Sequence, residues 1–229
     1  MSEWWTYLPS DFLMFSARSW YRLLALHNEA WAPAQAVTTL LGALVLVSLY
    51  SRSTGLRRVA LALTGVAWLL VAWSFHAARY AQINWAATYF AAAFAFEGAL
   101  LITMALPTPR PQREQRPVVG VAATALVLLA LLYPLLALAL KRPLTQSEWA
   151  GLMPDPTAVA TLGLLLGLAD IVRGLYGTLM WSLALAPPLL WCAISGVTLW
   201  TMKAPEWAVA PTLAAAALVA ALGVRRRGA

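Results

Sequence analysis

The sequence predicts an all-α integral membrane protein: about seven transmembrane helices behind an N-terminal interfacial amphipathic helix. Three observations predict it. Hydrophobic residues make up 62% of the 229-residue chain and charged residues 11%, against about 45–50% and about 25% in soluble domains. The apolar residues fall in runs long enough to cross a bilayer core, which takes about 20 helical residues. The loops between those runs alternate between strongly basic and neutral. A mean hydropathy of +0.71 excludes disordered and soluble globular classes. The single Cys192 excludes a disulfide scaffold.

Residues 1–33 are too polar to span and form an outer-face segment, and residues 34–229 form one transmembrane domain. The opening Met-Ser-Glu-Trp-Trp has no basic n-region and is soon broken by Pro9, so this segment is expected to be retained. Ser10-Asp11 and Ser16 read as helix starts. From Ala17 to Trp31, Trp20, Leu23, Leu24, Ala30 and Trp31 recur at helical spacing, while Arg18, Arg22 and Glu29 fall mostly elsewhere. That pattern predicts an amphipathic helix on the outer leaflet. The expected spans are 34–50, 59–75, 85–106, 118–140, 157–173, 176–202 and 208–224. In the fifth, Asp170 and Arg173 leave an apolar run of only 13 residues, and a re-entrant segment there would reduce the spans to six. Residues 107–117, with four Pro and three Arg, read as a stiff linker between spans.

Charge predicts the orientation. The loops at 52–58, 110–116, 170–173 and 225–227 carry ten basic and two acidic residues; the opposite set carries six of each. By the positive-inside rule the N-terminus is outside and the C-terminus cytoplasmic, which requires an odd number of spans. Nine of the twelve tryptophans (Trp4, Trp5, Trp20, Trp31, Trp73, Trp85, Trp149, Trp200 and Trp207) fall at the outer side. Indole settles at headgroup depth, so an aromatic belt is the simplest reading, with a Trp-lined cap over a cavity as the alternative.

Within the spans, Glu97 stands out, midway along the third. A lone carboxylate in hydrocarbon is costly, so Glu97 is either a proton, cation or substrate site or a protonated group bonded to a neighbouring helix. Pro187-Pro188 in the sixth span removes two backbone donors and predicts a kink or break, a feature that builds binding sites in transporters but also occurs as a packing kink. Trp191, Cys192 and Ser195 follow on the next turns, completing an intramembrane polar site. At the outer face the candidates are His27, Asn28, His76, Arg79, Asn84 and Asp155. Asp155, ahead of Pro156, reads as a helix cap, and Arg79 as a partner for Glu29 or Asp155. Two histidines without Cys or acidic residues at metal spacing favour interfacial hydrogen bonding over a metal or haem site.

No phosphate-binding loop, dinucleotide glycine motif, zinc-protease motif or nucleophile elbow occurs, so no enzyme and no cofactor is expected. Scattered basic loops argue against nucleic acid. The expected partners are the lipid bilayer and either another membrane protein or a second copy of the chain.

Four stretches carry a resemblance. They are Trp4-Trp5-Thr6-Tyr7-Leu8-Pro9-Ser10-Asp11-Phe12-Leu13, residues 80–90 from Tyr80 through Asn84 to Phe90, Pro154-Asp155-Pro156-Thr157-Ala158, and Leu190-Trp191-Cys192-Ala193-Ile194-Ser195-Gly196. Together they resemble a bacterial family of polytopic, Trp-rich inner-membrane proteins known only as a domain of unknown function. The resemblance implies a single-domain, multi-pass protein of the bacterial inner membrane and supplies no activity. The leading functional reading is a small-molecule or ion transporter whose cavity opens outward near Glu97 and the Pro187-Pro188 break. The alternative is a non-catalytic accessory or assembly subunit that presents its Trp-rich outer face.

Overall fold

A computed structural model describes residues 15–106, 117–169 and 174–226. Among the described residues the regular structure is helical, and strand pairing is limited to one isolated bridge between Ala150 and Met153. Helix α1 is Ala17–Ala30, started as expected by Ser16, whose hydroxyl accepts a 3.2 Å bond from the Ser19 amide. The Ser10-Asp11 start lies outside the described residues. Next come α2 (Ala32–Tyr50), α3 (Thr54–Leu70) and α4 (Ala87–Ala105). A π-helical segment, Val71–Ala77, extends α3. The fourth apolar run folds as α5 (Pro117–Leu132) and a short α6 (Leu135–Ala139). Pro134 has no N–H to continue the ladder, which divides the run there. Helices α7 (Pro154–Gly167), α8 (Gly174–Thr201) and α9 (Val209–Arg226) complete the bundle.

Each expected apolar run is therefore helical. Four helical stretches (Ala32–Tyr50, Thr54–Gln82, Ala87–Ala105 and Tyr176–Thr201) are long and apolar enough to cross a membrane; Gly120–Leu132 and Val209–Gly223 are apolar but shorter. The outward faces are greasy: Leu40, Val121 and Val219 are each about 70% exposed. Such a surface fits a hydrocarbon solvent better than water.

Two expectations need correction. The run expected at 157–173 folds as a helix that starts earlier and ends earlier, 14 residues from Pro154 to Gly167, about 21 Å long. Asp170 and Arg173 lie outside the described residues. Helix α7 packs against α2, α3, α5, α8 and α9, and every residue in it but Ala160 is buried. A helix apolar on all sides belongs at the centre of a bundle. Pro187-Pro188, in turn, does not break α8, which runs continuously from Gly174 to Thr201. The pyrrolidine ring fixes φ near the helical value, so the pair removes two ladder bonds without ending the helix.

Small residues set the tightest approaches. A Cβ on Gly65 would stand 2.7 Å from the Gly98 carbonyl, and one on Gly98 would stand 2.8 Å from the Gly65 carbonyl. Helices α3 and α4 thus touch backbone to backbone beside Glu97.

The segments expected on the outer face meet at one end of the bundle, the cap end. Asn28 of α1 donates to the Thr145 and Ser147 carbonyls, both at 2.8 Å. Tyr21 of α1 and Arg142 after α6 both reach Glu206 in the loop between α8 and α9. Helix α1 does not lie free on a leaflet: its Trp20 and Leu24 are core residues of the cap end.

Candidate functional site

The site is built from the loop that feeds α7. Gly151 turns the chain with φ +86, where a side chain would be strained and would also meet Thr38. Thr157 locks that turn: its hydroxyl accepts from the Gly151 amide at 2.7 Å and donates to the Met153 carbonyl at 2.6 Å. Pro154 then opens α7. Asp155 is consequently not the cap that its place before Pro156 suggests. Met153 holds the cap position, and Asp155 sits within the first turn, 2% exposed.

Its carboxylate gathers three elements. Trp191 Nε1 donates to Oδ1 at 2.8 Å, Ser195 Oγ to Oδ2 at 2.7 Å, and Tyr133 OH to Oδ2 at a longer 3.4 Å. Trp191 and Ser195 are four residues apart on α8, so they share a helix face. All three partners donate, which matches the acceptor-only character of an ionised carboxylate.

Beside Asp155 lies a second polar group. Helices α6 and α8 end in the same way, with a lysine in the left-handed region, Lys141 and Lys203, both at φ 57. In each, the next amide bonds back five residues: Arg142 to Ala137 at 2.8 Å, and Ala204 to Leu199 at 2.9 Å. These turns follow the usual left-handed helix stop, with lysine where glycine is common. They bring Arg142 and Glu206 together at 2.7 Å. Tyr21 OH donates to both Glu206 oxygens, at 3.0 and 3.2 Å, and the Arg142 guanidinium covers the Tyr21 ring at 4.1 Å. Burial, reinforced by Glu206, pushes the Tyr21 hydroxyl up to about 12, which keeps it a donor. Glu148 is buried nearby; burial first, then Asp155 and Glu206, hold its carboxyl well above the usual range.

Two openings adjoin this group. A groove of about 520 Å³ is lined by Arg18, Tyr21, Arg22, Glu29, Thr145 and Gln146, among others. A cavity of about 10 Å³ lies against Tyr133, Arg142, Gln146, Ser147, Glu148 and Glu206. Gln146 lines both.

The two histidines are not interfacial hydrogen-bonders. Both are fully buried, and no ring nitrogen of either has a hydrogen-bond partner. They sit among aromatic rings because α1 and the π-helical segment turn those faces inward. His27 lies 5.4 Å from Phe75; His76 lies 4.3 Å from Phe94 and 4.9 Å from Trp191. Burial, helped by the Arg79 charge, lowers His27 to about 4, with the nearby Leu152 backbone offsetting part of the effect. Arg79 forms no ion pair with Glu29 or Asp155; among the described residues the pair that forms is Arg142–Glu206. Asn84 closes a turn, accepting from the Ala86 amide at 3.0 Å. Asn28 is a clamp between α1 and the loop at 144–147 and also accepts from Gln35 at 2.9 Å.

Glu97 lies apart from this donor network. It is 0% exposed, and neither carboxylate oxygen has a hydrogen-bond partner. It is one turn beyond Phe94, whose ring meets Trp191 at 5.2 Å. The groove opens at the cap end. Cys192 is buried and free. The structure thus joins Asp155, Trp191 and Ser195, sets His76 against Trp191, and leaves Glu97 and Cys192 outside the hydrogen bonds. Sequence reading missed Tyr21, Tyr133, Arg142, Glu148 and Glu206. The available signal was the six acids in near-neutral loops; their partners lie up to 185 residues away.

Among the described residues, no group of three or more His, Cys, Asp or Glu side chains is placed to hold a metal ion. Comparison with curated proteins and with solved structures gives no match. Residues 17–228, nearly the whole of the described chain, match the Family of unknown function (DUF6064), and the chain belongs to that family.

Proposed function

We propose that the protein carries a small solute or an ion across the membrane, along a polar route that begins in the cap-end groove and leads toward Glu97. In this reading it is a multi-pass protein of the bacterial inner membrane, the cap end faces outward, and the C-terminus is cytoplasmic. The loop-charge asymmetry supports that orientation. One observation carries the transport reading: the cap-end groove, the small cavity and the Asp155 hydrogen bonds follow one another, and aromatic packing continues from Trp191 toward Glu97. The groove and the small cavity share Gln146 in their linings, Tyr133 also lines the cavity, Tyr133 donates to Asp155, and Asp155 accepts from Trp191. Trp191 packs on His76 and Phe94, one turn from Glu97. Apolar side chains would hold a bundle together at lower cost, since buried ionisable groups need partners or protons. An ionisable group inside a membrane is by default a candidate for an ion or substrate route.

Proteoliposomes loaded with a pH-sensitive dye and challenged with imposed potentials and a panel of small solutes test this. The expected result is proton or solute flux above that of protein-free vesicles, abolished in Asp155→Asn and Glu97→Gln. Flux equal to protein-free vesicles throughout would end the transport reading. It would favour the second reading, an accessory subunit. That reading draws on the exposed aromatic rim of Trp73, Trp85 and Tyr89, in which Trp85 and Tyr89 meet edge-on at 5.9 Å.

A further inference from the structure

Three carboxylates, Glu148, Asp155 and Glu206, are buried within electrostatic reach of one another, with a single guanidinium, Arg142, among them. Two of the three are satisfied as anions. Asp155 accepts from Trp191, Ser195 and Tyr133; Glu206 accepts from Arg142 and Tyr21. Glu148 has no such shell. It is 6% exposed, its Oε2 is sealed from solvent without a hydrogen-bond partner, and Arg142 is committed to Glu206.

A second observation points to what is missing. The Arg142 Nε is also buried and unpartnered, and Arg142 and Glu148 line the same cavity of about 10 Å³. That space is about the volume one water needs, and a water there would have a donor and acceptors around it. Gln146 lines both this cavity and the open groove.

We propose that Glu148 is the binding site of an exchangeable proton, delivered from the cap-end groove past Gln146 and through the small cavity. A hydronium in the cavity gives its proton to a Glu148 oxygen, an O–H bond forms there, and neutral water remains. That this proton drives transport rests on the reading above; that Glu148 holds it does not.

The charged and titratable groups around Glu148 agree. Burial raises Asp155 itself, and its Ser195, Trp191 and Tyr133 donors oppose that. The carboxyls of Asp155 of α7 and of Glu206 between α8 and α9 each disfavour a further anion at Glu148. Arg142 after α6 opposes them but is spent on Glu206. Tyr133, between α5 and α6, donates to Asp155, and Tyr21 of α1, raised to about 12, donates to Glu206. His27 on the buried face of α1 is lowered to about 4 and adds no positive charge near neutrality.

Infrared spectra of the full chain in nanodiscs, titrated against bulk pH, read the proton as the carbonyl stretch of a protonated carboxyl. The wild-type band should lose about one carboxyl's intensity in Glu148→Gln near neutral pH, with unchanged thermal stability, because Gln is a neutral isostere of protonated Glu. Asp155→Asn removes a neighbouring negative charge and should move the Glu148 titration to lower pH by roughly one unit or more. Glu97→Gln serves as the reference for the buried acid in the middle of the bundle. An unchanged band in Glu148→Gln, or an unmoved midpoint in Asp155→Asn, overturns the proposal. Loss of fold in Glu148→Gln overturns it too, since it would mean that the charged form is the native one. A Glu148 proton in a protein that passes no flux test supports this site while ending the transport reading.

Discussion

The cap end and the middle of the bundle each bury acid, and they do so in opposite ways. At the cap end Asp155 is held by donors from α8 and from the α5–α6 turn, and Glu206 by α1 and the residue after α6. In the middle, Glu97 has no donor, beside two helices whose backbones touch at Gly65 and Gly98. The cap end spends its acids on joining elements that are far apart in sequence. The middle joins its helices by small residues and leaves its one acid unbound. A carboxylate that three donors fix cannot give up its position; one with no donor can change protonation without dismantling anything around it.

The largest effect should come from Asp155→Ala. It leaves the Trp191 indole N–H and the Ser195 hydroxyl without acceptors in a sealed interior, each orphan costing about 1–3 kcal/mol. Denaturant or thermal unfolding in detergent should show a loss of roughly 3 kcal/mol or more, partly recovered in Asp155→Asn. If the loss is no greater than that of Glu97→Ala, the contrast between the two regions fails.

A second test uses pH. His27 is lowered to about 4 in the folded chain, while an unfolded histidine binds its proton near 6.5. Its contribution to stability is therefore complete above the unfolded value and is lost as pH falls from there through 4. The total is up to about 3 kcal/mol. Glu148 acts with the opposite sign: its raised carboxyl binds a proton more tightly when folded, so its contribution grows as pH falls toward the ordinary carboxylate range. Melting curves between these limits should show His27→Phe gaining on wild type as pH falls, by up to about 3 kcal/mol, whatever the direction of the shared carboxyl contribution. A difference between the two that does not change with pH would remove His27 as a source of pH sensitivity.

The smallest stability effect belongs to Glu97→Gln. No hydrogen bond is broken, so unfolding should change by less than about 1 kcal/mol, while flux in vesicles is abolished and Glu97→Asp keeps part of it. A large destabilisation instead would show Glu97 to be as structural as Asp155.

The helices were legible because their signal is local. Apolar runs and the Ser16 cap locate α1, α2, α4, α8 and α9 to within a few residues; α3 starts earlier than its expected span, and Pro134 explains the division of the fourth run. The start of α7 was misread because two prolines flank Asp155, and either can open a helix. Tertiary placement decided between them: the Gly151 turn and the Thr157 lock make Pro154 the first residue. The donors of Asp155 were out of reach for another reason. Trp191 and Ser195 are 36 and 40 residues away, and periodicity shows that they share a face without showing what the face meets. Glu97 was conspicuous in the sequence for the same reason that it is isolated in the fold: it is a charge among apolar neighbours.

Helix α7 also constrains how the chain can be assembled. It is short, carries an acid in its first turn, and shows almost no surface to its surroundings. Two of the helices that enclose it, α8 and α9, are made after it, and the acceptor at its start meets its donors only when α8 arrives. A nascent chain that has reached Gly167 but not Ser195 therefore holds a segment that is poorly suited to lipid on its own. The enclosure of α7 is thus a late event in the order of the chain: it is complete only once the last two helices have packed over it.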